Sequence, residues 1–169
     1  MDASALFAFV LVCAPQVHAN TASALVSVES AFNPWAIGVV GGALQRQPRH
    51  RAEAVATARA LQAAGWNFSV GLGQINVGNF ARLGLTINSA FDPCTNLTAM
   101  QTVLTDCFDR ARAPAMKAPG DQAALQQALS CYYSGNFTTG FRHGYVHKVL
   151  AAAGTASRSV PTALPKEKV

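Results

Sequence analysis

Hydrophobic residues recur at a spacing of three or four along several stretches of the chain, as expected of helices that bury one face. After residue 94, for example, Leu97, Met100 and Leu104 share one side of such a helix, and Asp106 and Asp109 lie on its polar side. The pattern predicts helices over residues 3–12, 20–30, 51–64, 95–111, 121–132 and 145–153.

Capping residues and helix breakers mark several of these helix ends. Asn20 or Thr21 is predicted to cap the second helix, and the Asn33-Pro34 pair ends it, because proline disfavours helical geometry in the residue before it. The Asp92-Pro93 pair is typical of a helix start. Asp121 is predicted to cap the next helix in the same way.

A short β element is predicted between the helices. Residues 67–77 combine glycines with β-branched and aromatic neighbours, which favours short strands or a tight ribbon. Residues 35–47 are predicted to form a loop rich in glycine and aromatics. The fold class is therefore mainly α, with a small β ribbon, in one domain over residues 1–153. The Ser/Pro/Lys-rich residues 154–169 are predicted to be a disordered tail.

Composition places the chain among folded globular proteins. Half of its 169 residues are hydrophobic and 12% are charged, with a net charge of +5. No apolar run is long enough to cross a bilayer, so no transmembrane segment is expected. Basic residues gather between positions 46 and 59, where a solvated face is the simpler interpretation. They are not interleaved with aromatics and form no known motif, so nucleic acid is not an expected partner.

Four cysteines, at positions 13, 94, 107 and 131, are compatible with two disulfides and an oxidising compartment. Their spacing does not form the CxxC pairs of a structural zinc site. If residues 95–111 form one straight helix, Cys94 and Cys107 lie about 20 Å apart, whereas a disulfide needs Cα atoms within about 7 Å. Cys13 then pairs with Cys94 or Cys107, or the thiols remain free and buried.

The first twenty residues have two interpretations. Residues 5–12 resemble the apolar core of a signal peptide, and residues 17–19 (Val-His-Ala) resemble a cleavage site. However, no Lys or Arg precedes that core, Asp2 has the wrong sign of charge, and cleavage would discard Cys13. A packed first helix over residues 3–12 is therefore the favoured interpretation, with the export route left open.

Glu29 is the best candidate for acid catalysis among the eight acidic residues. The others lie at the termini, at helix starts or on the polar side of the long helix. Glu29 instead follows Leu25 and Val26 on the apolar stripe of its helix. Burial of a carboxyl group there is expected to raise its pKa, so that it stays protonated near neutral pH and acts as a general acid. The alternative is a solvated glutamate at a frayed helix end.

Four motifs around Glu29 resemble those of the soluble lytic transglycosylases. They are, in order, residues 29–34 (Glu-Ser-Ala-Phe-Asn-Pro), 71–76 (Gly-Leu-Gly-Gln-Ile-Asn), 91–97 (Phe-Asp-Pro-Cys-Thr-Asn-Leu) and 132–136 (Tyr-Tyr-Ser-Gly-Asn). Each motif alone is weak, but the ordered set covers residues 21–150. The amino-acid sequences of residues 36–39, 67–76 and 130–136 resemble those of the family branch that accompanies bacterial type IV secretion systems.

The resemblance implies a lysozyme-like fold, peptidoglycan glycan strands as substrate and no cofactor or metal. It makes Glu29 the single catalytic acid and base, which yields a 1,6-anhydromuramic product without water. It gives Gln74 a contact to the sugar and lets Tyr132 orient the acid. The alternatives are an amide that caps the ribbon for Gln74, and core packing on the apolar stripe of its helix for Tyr132. The further substrate-binding candidates are Ser69, Gly71, Gly73, Asn76 and Tyr133. Three aromatic residues, Trp35, Phe68 and Tyr133, are candidates for sugar stacking or, equally, for core packing.

Two positions depart from the family pattern. Many relatives carry a serine nine positions after the glutamate, where this chain has Gly38, and a methionine after the Gln-Ile pair, where it has Asn76. Both departures change contacts expected around the sugar and leave the acid in place.

Three functions therefore stand at this point. A lytic transglycosylase in the periplasm of a Gram-negative bacterium, opening the wall for type IV secretion components, is favoured. The alternatives are a hydrolase on the same fold and a catalytically silent glycan-binding assembly factor. A metal enzyme is disfavoured, because the His143 and His147 pair lacks the glutamate of an HExxH motif.

Overall fold

Helices form most of the described chain, as the hydrophobic pattern predicts. The computed structural model describes residues 1, 3–113 and 120–158. Within these residues the helices are, in chain order, α1 (Ala3–Cys13), α2 (Ala19–Ser30), α3 (Arg51–Ala63), α4 (Phe80–Leu83), α5 (Ile87–Ala90), α6 (Pro93–Arg112), α7 (Asp121–Ser134), α8 (Thr139–Arg142) and α9 (Tyr145–Arg158).

The long helices overlap the predicted ones, and the short ones were not predicted. Helices α4, α5 and α8 span a single turn each, and a 3-10 turn over Val77–Asn79 precedes α4. One turn is too short to produce a hydrophobic repeat. Helix α9 continues to Arg158, past the predicted end at 153, so the predicted tail is wrong for residues 154–158. Residues 159–169 lie outside the described part of the chain.

Two predicted helix caps are wrong and one is confirmed. Helix α2 is capped by His18, whose Nδ1 accepts a hydrogen bond from the Asn20 N–H at 3.2 Å. The N-cap of α7 is Gly120. Asp121 is the first residue inside that helix, where its charge favours the helix dipole. Asp92 does cap α6, accepting from the Thr95 N–H at 2.8 Å.

Three short strands form one antiparallel sheet, in the order β1 (Ile37–Val39), β2 (Phe68–Val70) and β3 (Ile75–Asn76). Strands β2 and β3 confirm the predicted ribbon, with Ser69 opposite Asn76. The prediction of a loop over 35–47 is wrong for β1. A three-residue strand is too short to show alternation, and β1 exists because Gly38 pairs with Ser69 from a distant part of the chain.

Two disulfides join the helices of the core. Cys13 at the end of α1 is bonded to Cys94 at the start of α6, with the Cα atoms 5.2 Å apart. Cys107 in α6 is bonded to Cys131 in α7, with the Cα atoms 5.8 Å apart. The first pair is one of the two predicted for Cys13, and the alternative of free thiols is wrong.

The predicted first helix is present and packs into the core through one side. Leu6 and Val10 of α1 are fully buried, whereas Phe7 and Leu11 are exposed. Among the described residues, no helix is both long enough and apolar enough to cross a membrane.

Asn96 connects the sheet to the long helix α6. Its side chain is 1% exposed. The Nδ2 group donates to the carbonyl of Val70 at 3.0 Å and to that of Ala90 at 2.8 Å, and Oδ1 accepts from the Gly73 N–H at 2.8 Å. The bonds to Val70 and Gly73 satisfy backbone groups at the turn between β2 and β3, which carries residues of the cleft described below, and the third bond reaches the end of α5.

We predict that Asn96→Ala lowers the free energy of unfolding by about 2–4 kcal/mol, because it leaves buried backbone donors and acceptors without partners. Urea denaturation followed by circular dichroism measures the change. Asn88→Ala is the matched control. Asn88 is exposed, and its backbone carbonyl, rather than its side chain, accepts the hydrogen bond from Arg51. A loss below about 0.5 kcal/mol for Asn96→Ala, no larger than a surface substitution gives, would contradict this account.

Candidate active site

A cleft of about 500 Å³ lies between the sheet and the helices α2 and α7. It brings together most of the side chains that the sequence analysis selected. The predicted site residues that line it are Glu29, Ser69, Gln74, Asn76, Tyr132 and Tyr133.

Glu29 lies in the last turn of α2, directly before the chain changes direction. Ala31 and Phe32 both adopt positive φ angles, of 48° and 62°, which are uncommon for residues with a side chain. Helix α2 therefore ends at Ser30, and the backbone changes direction at Ala31, two residues after Glu29.

Burial determines the protonation of Glu29. Desolvation raises the pKa of its carboxyl group from 4.5 to about 7, and a hydrogen bond from Tyr145 opposes this in part. Desolvation is the larger effect, because a carboxylate loses more hydration on burial than one hydrogen bond restores. The carboxyl group is therefore protonated in a large fraction of molecules at neutral pH.

Tyr145 is the residue that holds the acid, and the sequence analysis missed it. Its hydroxyl donates a hydrogen bond to Oε1 of Glu29. Its ring stacks on that of Tyr133, with centroids 4.6 Å apart, and the Tyr133 hydroxyl lies 3.2 Å from Nδ1 of His143. Tyr145 stands 116 residues from Glu29 along the chain. One feature of the sequence indicated this residue, namely its position at the start of the helix predicted over 145–153.

Tyr132, which the resemblance assigned to orienting the acid, makes a different hydrogen bond. Its hydroxyl donates to the carbonyl of Gly73 at 2.5 Å. Burial, and secondarily the nearby charge of Glu29, raise the pKa of Tyr132 well above its usual value. Tyr132 thus lies near the acid but supports the turn between the strands.

Gly71 and Gly73 are required by packing around that turn and do not line the cleft. A side chain on Gly73 would come within 2.9 Å of Met100 Cβ and 3.0 Å of the Tyr132 hydroxyl. A side chain on Gly71, which has a φ of 79°, would come within 2.3 Å of Asn96 Nδ2. These glycines allow the turn to approach α6 and α7 closely.

Gln74 is held in a strained conformation at the cleft. Its φ is 48°, and its Nε2 donates to the carbonyls of Ala36 at 3.2 Å and Gly71 at 3.0 Å. A Cβ at Gly38 would lie 2.7 Å from Oε1 of Gln74. The departure at Gly38 therefore leaves room for the side chain of Gln74, whose Oε1 remains an acceptor for a ligand.

Some of the other predicted binding residues stabilise the fold, and others are accessible in the cleft. Asn76 donates to Asn67 Oδ1 at 2.7 Å and to Ser69 Oγ at 3.3 Å, and it caps the 3-10 turn. Phe68 is fully buried, so its stacking on a sugar is excluded. Trp35 packs against the core outside the cleft. Tyr133 is 45% exposed and is the more accessible of the two aromatic residues that line the cleft.

Within the described part of the chain, no three His, Cys, Asp or Glu side chains come together as metal ligands would.

Comparisons with known proteins found a family model and several named relatives that match this chain. Residues 9–151 match the family model described as Transglycosylase SLT domain. A Brucella abortus biovar 1 (strain 9-941) protein named "Type IV secretion system protein virB1" is 49% identical over 154 residues, covering 88% of this chain and 63% of that protein. "Protein virB1" of Agrobacterium fabrum (strain C58 / ATCC 33970) is 40% identical over 159 residues, covering 92% and 61%. This chain thus spans about three fifths of these relatives' length. No solved structure gives a significant match.

We predict that Glu29→Gln stabilises the protein at pH 8 and has little effect near pH 4.5. The folded protein keeps the Glu29 proton up to about pH 7, whereas the unfolded chain loses it near 4.5. Stability from this group is therefore present below pH 4.5 and lost as the pH rises through 7, by about 3 kcal/mol from a shift of that size. Glutamine is neutral throughout, so the advantage of the variant grows across this window.

Urea unfolding of both proteins between pH 4.5 and pH 8 tests this prediction. Glu53→Gln is the control, and its difference from the wild-type protein is expected to stay nearly constant between pH 4.5 and pH 8. The hydrogen bond from Arg46 lowers the pKa of Glu53 to about 2, so its stabilisation is present above pH 4.5 and is lost as the pH falls. A difference between Glu29→Gln and wild type that does not vary with pH would show that burial does not raise the Glu29 pKa.

Proposed function

This chain belongs to the transglycosylase SLT domain family, and we propose that it is a lytic transglycosylase that cleaves peptidoglycan glycan strands. The bond broken is the β-1,4 linkage from N-acetylmuramic acid to N-acetylglucosamine. The observation that carries the proposal is the carboxyl group of Glu29, which lines the cleft and is partly buried there, so that desolvation raises its pKa to about 7.

Glu29 serves first as the acid and then as the base. The protonated carboxyl group donates its proton to the glycosidic oxygen as the bond to C1 of the muramic sugar breaks. The resulting carboxylate then accepts the proton of the C6 hydroxyl as O6 attacks C1. The glutamate is regenerated, a 1,6-anhydro sugar forms and no water is consumed. A pKa near 7 suits a group that works in both directions at neutral pH.

The number of carboxylic acid side chains in the cleft favours this reaction over hydrolysis. Among the described residues that line the cleft, Glu29 is the sole carboxylic acid. Most hydrolysing glycosidases use two carboxyl groups on either side of the bond. When the nucleophile is a hydroxyl group of the substrate itself, one carboxyl group is sufficient.

Tyr145 is the positioning residue for this acid. Its hydrogen bond to Oε1 fixes the rotation of the carboxyl group relative to the cleft. The same bond stabilises the carboxylate that exists after the first proton transfer. Ser69, Gln74 and Tyr133 supply uncharged hydroxyl and amide groups to the cleft, which suits a neutral sugar chain.

The names of the relatives support a proposal for the cellular role. The Brucella abortus relative is named a type IV secretion system protein. We propose that this chain likewise opens the cell wall locally for a secretion apparatus, acting in the periplasm of a Gram-negative bacterium. The two disulfides support an oxidising compartment such as the periplasm.

We expect Glu29→Gln to lower the release of anhydromuropeptides from purified peptidoglycan by at least about 100-fold, the contribution of one general acid–base group. Mass spectrometry distinguishes the products, because an anhydro product is one water lighter than a product with a reducing end. Glu53→Gln removes a surface carboxyl group that pairs with Arg46 and is the matched control.

Reducing-end products from the wild-type protein, lost in Glu29→Gln, would identify a hydrolase instead. Binding to peptidoglycan without any release would identify an assembly factor.

The pH dependence of kcat/KM provides a second test. Because Glu29 acts first as an acid, kcat/KM is expected to be level below pH 7 and to fall about tenfold per pH unit above it. Tyr145→Phe removes the hydrogen bond that lowers the Glu29 pKa, so the falling limb moves to higher pH. Tyr133→Phe alters a cleft hydroxyl that bonds to His143, and it leaves the position of the limb unchanged. A limb that moves to lower pH in Tyr145→Phe would contradict the assignment.

A further inference from the structure

Helix α1 carries a broad apolar face that the described part of the chain leaves exposed. Phe7, Phe9, Leu11 and Val12 are between 38% and 78% exposed. At about 100° per residue, these four side chains spread over more than half of the circumference of the helix. A helix that is hydrophobic on all sides is typical of one that is buried on all sides. We therefore expect this face to have an apolar partner.

The opposite side of α1 fixes the helix to the protein. Leu6, Val10 and Cys13 are buried and form a narrow stripe. Cys13 is bonded to Cys94 of α6, and the Cys13 carbonyl accepts a hydrogen bond from the Thr98 hydroxyl at 2.8 Å. The exposed face is therefore available to a partner while α1 stays packed on the core.

The exposed face has no charged side chain, whereas the chain as a whole is cationic. Residues 7–12 contain no polar side chain, and the sequence has no Asp, Glu, Lys or Arg between Asp2 and Glu29. The net charge of the chain is +5, which attracts it to an anionic surface. Apolar area and positive charge are the two contributions that bind a helix to the surface of an anionic bilayer.

A bilayer surface fits this face better than a second protein does. The exposed fractions of the four side chains correspond to an apolar area on the order of 400 Å². That area is about half of the ~800 Å² that each partner contributes to a standard protein interface. Protein interfaces also surround their apolar centre with a polar rim, which residues 7–12 do not supply. Insertion into a bilayer needs no such rim, and its strength grows with the apolar area buried.

We propose that the exposed face of α1 inserts into the interfacial layer of an anionic phospholipid bilayer, so that the helix lies parallel to the membrane surface. With 11 residues, α1 is about 16 Å long, whereas the hydrocarbon core of a bilayer is roughly 30 Å thick. The helix therefore lies on the membrane and does not span it. This attachment is independent of the reaction at Glu29, and it holds the protein at the membrane surface through one helix.

Co-sedimentation of the full chain with vesicles of phosphatidylethanolamine and a minor share of phosphatidylglycerol tests the proposal. The wild-type protein is expected to bind. The double variant Phe7→Ser, Leu11→Ser is expected to lower the ratio of bound to free protein by at least about tenfold, because two large apolar side chains leave the bilayer. Wild-type binding is expected to persist at about 0.5 M salt, where interactions between exposed charges are screened. No wild-type binding, or binding that the salt abolishes, would overturn the proposal.

Phe141→Ser is the matched control. Phe141 is 44% exposed and lies on α8, so this variant is expected to bind the vesicles as the wild-type protein does. Val12→Ser, at the most exposed position of the face, is expected to give a smaller loss in the same direction as the double variant.

Urea unfolding is expected to give the double variant the midpoint of the wild-type protein, because both side chains point outward. Light scattering without vesicles tests the other occupant of the face. A wild-type dimer that becomes a monomer in the double variant would show that a second copy covers α1. That result, or vesicle binding that the double variant leaves unchanged, would overturn the membrane assignment.

Discussion

The burial of one carboxyl group is the constraint around which the site is arranged. Glu29 reaches the cleft from the last turn of α2, and desolvation is the main influence on its pKa. Three features accommodate it. The chain turns sharply at Ala31, Tyr145 donates a hydrogen bond to Oε1, and Tyr133 stacks on that tyrosine. A cation beside Glu29 would lower the pKa instead, and the group would then lose its value as an acid at neutral pH.

The opposite wall of the cleft depends on one buried amide. Asn96 bonds to the backbone at Val70, Ala90 and Gly73, so the turn of the ribbon is fixed to α6. That attachment maintains the positive φ of Gln74, a conformation that costs free energy and persists where the surroundings determine it. The acid and the ribbon are thus held by different helices. The disulfide between Cys107 and Cys131 joins α6 to α7, which carries Tyr132 and Tyr133.

Local sequence determined the long helices and selected Glu29 as the candidate acid. The hydrophobic repeat along α6 and the Asp92-Pro93 start are properties of neighbouring residues, so the position of this helix can be read from the local sequence. Glu29 was distinguished by elimination and by its place on an apolar stripe. The ordered motifs indicated the family, which the comparison with family models confirms. The small ribbon over β2 and β3 was predicted from its glycines and β-branched residues.

Contacts between distant residues decided the rest. Strand β1 forms because Gly38 lies opposite Ser69, the disulfide of Cys13 was one of several open choices, and the partner of Glu29 proved to be Tyr145. Each of these depends on which parts of the chain are brought together by burial of the core, and no local pattern of residues records it. The sequence by itself therefore determined the helices and the family, and it selected Glu29 as the candidate acid. The tertiary structure decided how that acid is desolvated and held, because burial and hydrogen bonding between remote side chains exist only in the folded chain.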